Sequence, residues 1–265
     1  MKLTALPIIE MNHYSFSIGS KPILCDISLK VLEGEYVSII GPNGAGKTTL
    51  LKCVDRIYRG GRGVIKLLGL PLESFSQREL ARLISYVPQA DERLFPFTAR
   101  EFVLMGRYPH LSPFSSVRQE DLDEADRVMD LTSTQEFAHR NIRTLSGGER
   151  QKVFIAAALA QGARVLLLDE PTTFLDPGHE RDVLRILARL NQDEGITVVS
   201  VTHDINNAVL SGNRVLALKE GKVVFSGSSE EAMDNRVLNR VFDRDFLLAP
   251  HPETGQPIII PERTG

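Results

Sequence analysis

The sequence predicts an α/β fold: a mostly parallel sheet, antiparallel strands ahead of it, and a helical block inserted into it. Three observations predict this class. Apolar runs at Tyr36–Ile40, Val165–Leu168 and Thr197–Val201 read as strands buried on both faces. Helical patterns alternate with those strands, as in βαβ units. Residues 8–31 alternate apolar and polar with period two, the signature of a half-exposed antiparallel sheet.

Taken in order, Ile8–Met11 and Tyr14–Ile18 read as strands, and Gly19-Ser20-Lys21-Pro22 as a turn. Ile23-Leu24 and Ile27–Val31 continue the alternation up to a turn at Glu33-Gly34-Glu35. Tyr36–Ile40 then runs into a Gly-rich stretch, and Leu50–Val54 opens a helix. Gly60-Gly61-Arg62-Gly63 breaks the chain before a short strand at Val64–Leu68. Ser76 and Glu79 have capping-box spacing, which predicts a helix through Leu83. Ile84–Gln89 is a strand that ends at a proline, Pro88.

Residues 90–160 change texture and read as helical, with segments at Gln119–Met129 and Gly147–Ala160. His179–Asn191 is amphipathic, with Val183, Ile186, Leu187 and Leu190 on one face. Arg214–Leu218 and Val223–Phe225 make a late hairpin around Gly221. The tail from about residue 228 holds a short helix, an apolar patch and Pro250, Pro252, Pro257 and Pro261. We expect one domain, with its core at about 1–89 and 161–227, a helical subdomain at about 90–160 and a C-terminal extension at about 228–265.

Composition bounds the function. The charges nearly balance, 31 basic against 34 acidic, so nothing points to nucleic acid as a general partner. No apolar run approaches the ~18 residues of a membrane span, and Met1–Pro7 lacks a signal-peptide core. Cys25 and Cys53 sit beside hydrophobic residues and read as free thiols. The six histidines never take metal-ligand spacing. These traits read as a soluble cytoplasmic protein.

Gly41-Pro42-Asn43-Gly44-Ala45-Gly46-Lys47-Thr48-Thr49 has the spacing G-x-x-x-x-G-K-[ST] between a strand and a helix. Glycines let the backbone wrap a polyphosphate with its N–H groups pointing inward, and the new helix adds its positive end. Lys47 supplies a charge for the outer phosphates, and Thr48 offers a hydroxyl to Mg²⁺. This is a triphosphate cradle, so the parallel sheet becomes a P-loop NTPase core.

Val165-Leu166-Leu167-Leu168-Asp169-Glu170 carries two carboxylates off a buried strand. Asp169 is placed at the sheet's carboxyl edge to serve Mg²⁺, and Glu170, with the opposite direction, to polarise a water. Leu145-Ser146-Gly147-Gly148-Glu149-Arg150-Gln151 makes a second anion-binding helix start. One nucleotide does not need two distant cradles, whereas a dimer does, each copy closing over the other's nucleotide.

In this order the motifs resemble those of the nucleotide-binding subunits of ATP-binding cassette (ABC) transporters, over nearly the whole chain. Gly41–Thr49 resembles the Walker A motif, Val165–Glu170 the Walker B motif, and Leu145–Gln151 the family signature. Gln89 falls at the Q-loop, Phe174-Leu175-Asp176 at the D-loop, and His203 at the switch histidine. The resemblance implies two copies sandwiching two MgATP. Lys47, Glu170 and His203 would carry the chemistry, with Thr48, Gln89 and Asp169 serving Mg²⁺. Ser146, Gly147, Gly148 and Glu149 would approach the partner's nucleotide, and Asp176 would line the same site.

Val103–Leu111 resembles importers of iron-siderophores, haem and cobalamin, and Pro250–Pro257 resembles the same branch. Phe95, Pro96 and Phe97 fall where the family docks a membrane partner. The resemblance thus implies an ATPase at the cytoplasmic face of the inner membrane, bound to permease subunits and, through them, to an extracytoplasmic substrate-binding protein. Two departures stand out. The position that commonly stacks on adenine is Ile18, with Tyr14 and Phe16 as neighbouring rings, and an arginine usual near Ala157 is absent. A cassette switch acting on nucleic acid or the ribosome is the alternative class, but such relatives usually carry paired cassettes, coiled coils or zinc modules. A GTPase or small-molecule kinase would leave the signature unexplained, and no N-K-x-D guanine-reading motif is present.

Overall fold

The strands and helices follow apolar period, caps and breakers closely in this computed structural model, which describes residues 7–89, 96–112, 116–253 and 255–261. In chain order they are β1 (Pro7–Ile18), β2 (Lys21–Leu32), β3 (Tyr36–Ile40), α1 (Lys47–Val54), β4 (Arg62–Leu67), β5 (Leu70–Pro71), α2 (Gln77–Ala81), β6 (Ile84–Val87), α3 (Ala99–Met105) and α4 (Gln119–Leu131). Then come α5 (Gly147–Ala160), β7 (Val165–Asp169), α6 (Pro177–Gln192), β8 (Thr197–Val201), α7 (Ile205–Ser211), β9 (Arg214–Lys219), β10 (Lys222–Ser228), α8 (Ser229–Ala232), α9 (Asn235–Phe242), β11 (Leu248–Pro250) and β12 (Pro257–Ile259). Two compact units result: Met1–Leu72 with Val199–Gly265, and Glu73–Val198.

The first unit holds a four-stranded sheet in the order β2-β1-β4-β5. The two short N-terminal strands expected from the sequence are one 12-residue strand. A bulge around His13, at φ 48°, carries the chain through the break in alternation, with His13 Nδ1 2.8 Å from Asp26 Oδ1 on β2. The bulge shifts the parity: Ile9 and Met11 face inward before it, Tyr14 and Phe16 after it. The break expected at Gly60–Gly63 is shorter, because β4 already begins at Arg62.

In the same unit β3 is buried along its length and pairs in parallel with β9, which pairs antiparallel with β10. Thr202, just past β8, donates from its amide to Ile39 O at 3.1 Å. A core of Ile40, Val209, Val215, Met233, Leu238 and Val241 lies under these strands and α7–α9. The tail closes with a hairpin the sequence did not announce, β11 on β12, with Pro250 opposite Pro257. Proline suits this two-stranded edge, since no ladder hydrogen bond is demanded of it on the open side.

The second unit is built around α5. Its residues Val153, Ile155, Ala156 and Ala160 are fully buried, and Phe154 meets Phe102 of α3 with ring centroids 5.1 Å apart. β6 and β7 pair in parallel, Tyr86 opposite Leu167. α2 ends at Ala81, two residues short of the expected Leu83, but its capping box forms as predicted. The Val103–Leu111 segment is held structurally. Arg107 pairs with Asp121 at 3.0 Å in a nearly buried site and donates to Ala160 O at 2.9 Å. Arg78 and Arg82 both donate to Pro109 O, at 2.7 and 2.9 Å. Removing one member of such a buried pair typically costs about 3–5 kcal/mol. Both cysteines are free thiols, and burial raises Cys53 to about 11. Among the described residues no helix is long and apolar enough to cross a membrane.

Candidate functional site: two helix openings and a pair of carboxylates

The Gly-rich stretch joins β3 to α1. Gly41, at φ 143°, passes so close to Leu218 that a Cβ would collide with that residue's carbonyl oxygen. Gly46 caps α1 in the left-handed region, at φ 101°, with no side-chain cap hydrogen bond. A Cβ there would come 2.9 Å from Leu24 Cδ2 and 3.0 Å from Ile23 O. Gly46 thus gives the start of α1 no capping side chain, an arrangement in which an anion can bind at a helix N-terminus. Lys47 is buried, and its ammonium folds back to donate to Gly41 O at 2.8 Å and Pro42 O at 3.1 Å. A cation thus lies over the loop that leads into α1.

Asp169 closes β7 at 4% exposure and accepts from the Tyr86 hydroxyl at 2.9 Å. Glu170 follows at φ 52°, turned off the strand line. Its Oε2 accepts from Gln89 Nε2 at 3.1 Å and from Thr173 Oγ1 at 3.0 Å. Gln89 is therefore brought to Glu170, and Tyr86, three residues before it, to the adjacent Asp169. Because the Gln89 amide nitrogen faces Glu170, its oxygen is the end left for a hard cation. Tyr86 and Thr173 are partners that sequence reading missed. The one signal for Tyr86 was a hydroxyl on an otherwise buried strand leading to Gln89.

Ser146 caps α5, accepting from Glu149 N at 3.2 Å, while Glu149 Oε2 accepts from Ser146 N at 2.7 Å. Arg140 reaches the same carboxylate at 3.0 Å. Burial pushes the Glu149 carboxyl up, but the Ser146 amide and Arg140 outweigh it, so the group ends below its ordinary range. Since Ser146 Oγ accepts from an amide, its own O–H proton is directed elsewhere. Asp176 caps α6 through Gly178 N at 3.0 Å and His179 N at 3.1 Å. Phe174 beside it is 89% exposed at φ 66°.

In the first unit His203 is exposed, immediately after β8, and Asp204 behind it caps α7 through Asn207 N at 2.9 Å. Ile18 stands at the tip of β1 at 52% exposure. Neither neighbouring ring is exposed: Phe16 stacks on Tyr58 at 5.5 Å, and Tyr14 donates to Gly60 O at 2.8 Å. Of the residues expected at a membrane partner, Phe95 lies outside the described residues, Pro96 is exposed and Phe97 half-buried.

A glycine turn with a buried lysine, an Asp-Glu pair at a strand end and a Ser-Gly-Gly helix start are the features expected of an ATP-binding cassette. Comparison with known proteins agrees. The ABC transporter family matches residues 24–173. The iron(3+)-hydroxamate import ATP-binding protein FhuC of Bacillus subtilis is 38% identical over 252 residues, covering 95% of this chain and 94% of that protein. The ferric enterobactin transport ATP-binding protein FepC of Escherichia coli is 35% identical over 94% of this chain and 92% of its own length. Among solved structures, a metal-chelate type ABC transporter in an inward-facing conformation superposes with a TM-score of 0.85 at 27% identity, covering 98% of this chain and 99% of its own. The dimeric ATP-binding cassette MJ0796, bound to ADP and Pi, gives 0.71 at 30% identity, over 83% of this chain and 98% of its own. The chain belongs to the ABC transporter family, as an ATP-binding ATPase subunit.

Proposed function

We propose that this chain hydrolyses ATP to drive an importer of an iron-siderophore or related metal chelate. The carrying observation is the hydrogen bond from Gln89 to Glu170, next to Asp169 at the end of β7, in a chain that also holds the glycine-started α1 and the Ser146 cap. Siderophore-import relatives of matching length support the cargo class.

In this reading the amides of Gly44–Thr49 and the Lys47 ammonium hold the outer phosphates, with Gly41, Pro42 and Asn43 shaping the loop. Glu170, oriented by Gln89 and Thr173, takes the proton of the attacking water. His203 donates to the terminal phosphate. Thr48, Gln89 and Asp169 offer only hard oxygens, a donor set that fits Mg²⁺, which when bound neutralises developing phosphate charge. Ser146, through its free O–H, and the amides of Gly147 and Gly148 approach the nucleotide of a second copy, beside Glu149 and Asp176. Ile18 contacts adenine with aliphatic surface rather than a ring.

Two copies, peripheral at the inner face of the membrane, then bind integral permease subunits, and through them a substrate-binding protein outside. No observation favours a nucleic-acid switch. Reconstitution with the cognate permease tests the reading: ATP-dependent uptake of a ferric chelate is expected. Capture of RNA or DNA in place of a membrane protein would overturn it.

A further inference from the structure

His179 is the third residue of α6, and its ring lies against the first turn of α5. A Cβ added at Gly148 would land far inside van der Waals contact of the Cβ, Cγ and Cδ2 of His179. At Gly147, one residue earlier, it would meet only Leu175 Cδ2, at an ordinary 3.4 Å. The second signature glycine is therefore a glycine for steric reasons: a ring occupies the space of its side chain. That ring is tethered. Its Nδ1 hydrogen-bonds to one oxygen of Asp176, while the other oxygen caps α6 through two amides. One carboxylate thus fixes both the start of α6 and the plane of the ring.

The segment between β7 and α6 carries Glu170, held by Gln89 and Thr173, and ends at Asp176. Contact through His179 joins that segment to the Ser146 helix start within one protomer. We propose that His179 is a positioning residue, which sets the orientation of Ser146–Gly148 by packing on Gly148 while held by Asp176. This rests on the reading of Ser146–Gly148 as a phosphate-binding start, and adds a residue outside the expected motif set.

The test measures steady-state ATP turnover and melting temperature of the full chain as wild type, Gly148→Ala, His179→Ala, the double variant Gly148→Ala/His179→Gly and His179→Asn. Gly148→Ala should melt lower and lose about 10²-fold in kcat, the scale of a misplaced group. His179→Ala should lower kcat about tenfold with KM for ATP unchanged, since the misplaced element acts in the transition state. The double variant should regain at least about tenfold over Gly148→Ala, because loss of the Cβ together with the ring clears the space of the methyl. His179→Asn, which keeps a donor near the Nδ1 position, should retain most of the wild-type rate. A double variant no faster than Gly148→Ala, or a His179→Ala effect confined to KM, overturns the proposal. Wild-type chain without ATP turnover would overturn the underlying reading instead.

Discussion

The two glycine-rich helix starts differ in how their end amides are satisfied. α1 begins at a left-handed glycine with no side-chain cap and a buried lysine folded over the turn. α5 begins at a serine whose capping box is complete, with Arg140 holding the Glu149 carboxylate. In the proposed reading the first opening receives an anion by itself. The second has already satisfied part of its own end and offers a hydroxyl proton and two glycine amides. The difference teaches that a similar sequence texture, glycines before a helix, can make a principal site or an accessory one, and the capping residue decides which.

That contrast can be broken experimentally. Glu170→Gln should reduce ATP turnover by about 10²–10⁴ while nucleotide affinity is retained, showing that neither helix start hydrolyses ATP without the base. Vigorous hydrolysis by this variant would remove Glu170 from that role. Lys47→Ala should cost about 10²–10³ in turnover and also weaken nucleotide binding, read by titration with a fluorescent ATP analogue. Ser146→Ala should behave differently: nucleotide affinity of the single chain unchanged, turnover reduced, and stability lower by about 1 kcal/mol from the lost cap in denaturant unfolding. Equal losses of affinity in Lys47→Ala and Ser146→Ala would erase the distinction between the two starts.

An effect on stability alone lies at the far end of α1. Burial, partly offset by Arg56, raises Asp55 from its ordinary 3.8 to about 7. The folded chain therefore holds this proton more tightly than the unfolded one. The stabilisation is complete below about pH 4 and disappears as pH rises through about 7. Asp55→Asn should flatten the melting temperature across that window; an unchanged pH slope would remove Asp55 as its source.

What was legible is local. Ser76 and Glu79 lie three residues apart and form the capping box their spacing predicts, and Ser146 and Glu149, at the same spacing, form another that the sequence reading did not name. The buried strands β3, β7 and β8 were legible as unbroken apolar runs. The parity of β1 was not, because a bulge at His13 inverts which residues face inward and no period-two reading crosses it. Nor was the β11–β12 hairpin, whose strands are three residues each, too short to show a period.

By itself the sequence determined which groups are present and how they sit within a turn or two: the glycine turn, Lys47, the Asp169-Glu170 pair, the Ser146 cap. Contacts within about four residues follow from helix and strand geometry alone. Only the tertiary structure decided what stands beside them. Tyr86 on Asp169, Gln89 on Glu170, Phe16 on Tyr58, and His179 on Gly148 all depend on where the chain returns. Those neighbours hold the carboxylates and the second helix start in place, and packing of separate segments, which no local pattern encodes, brings them there.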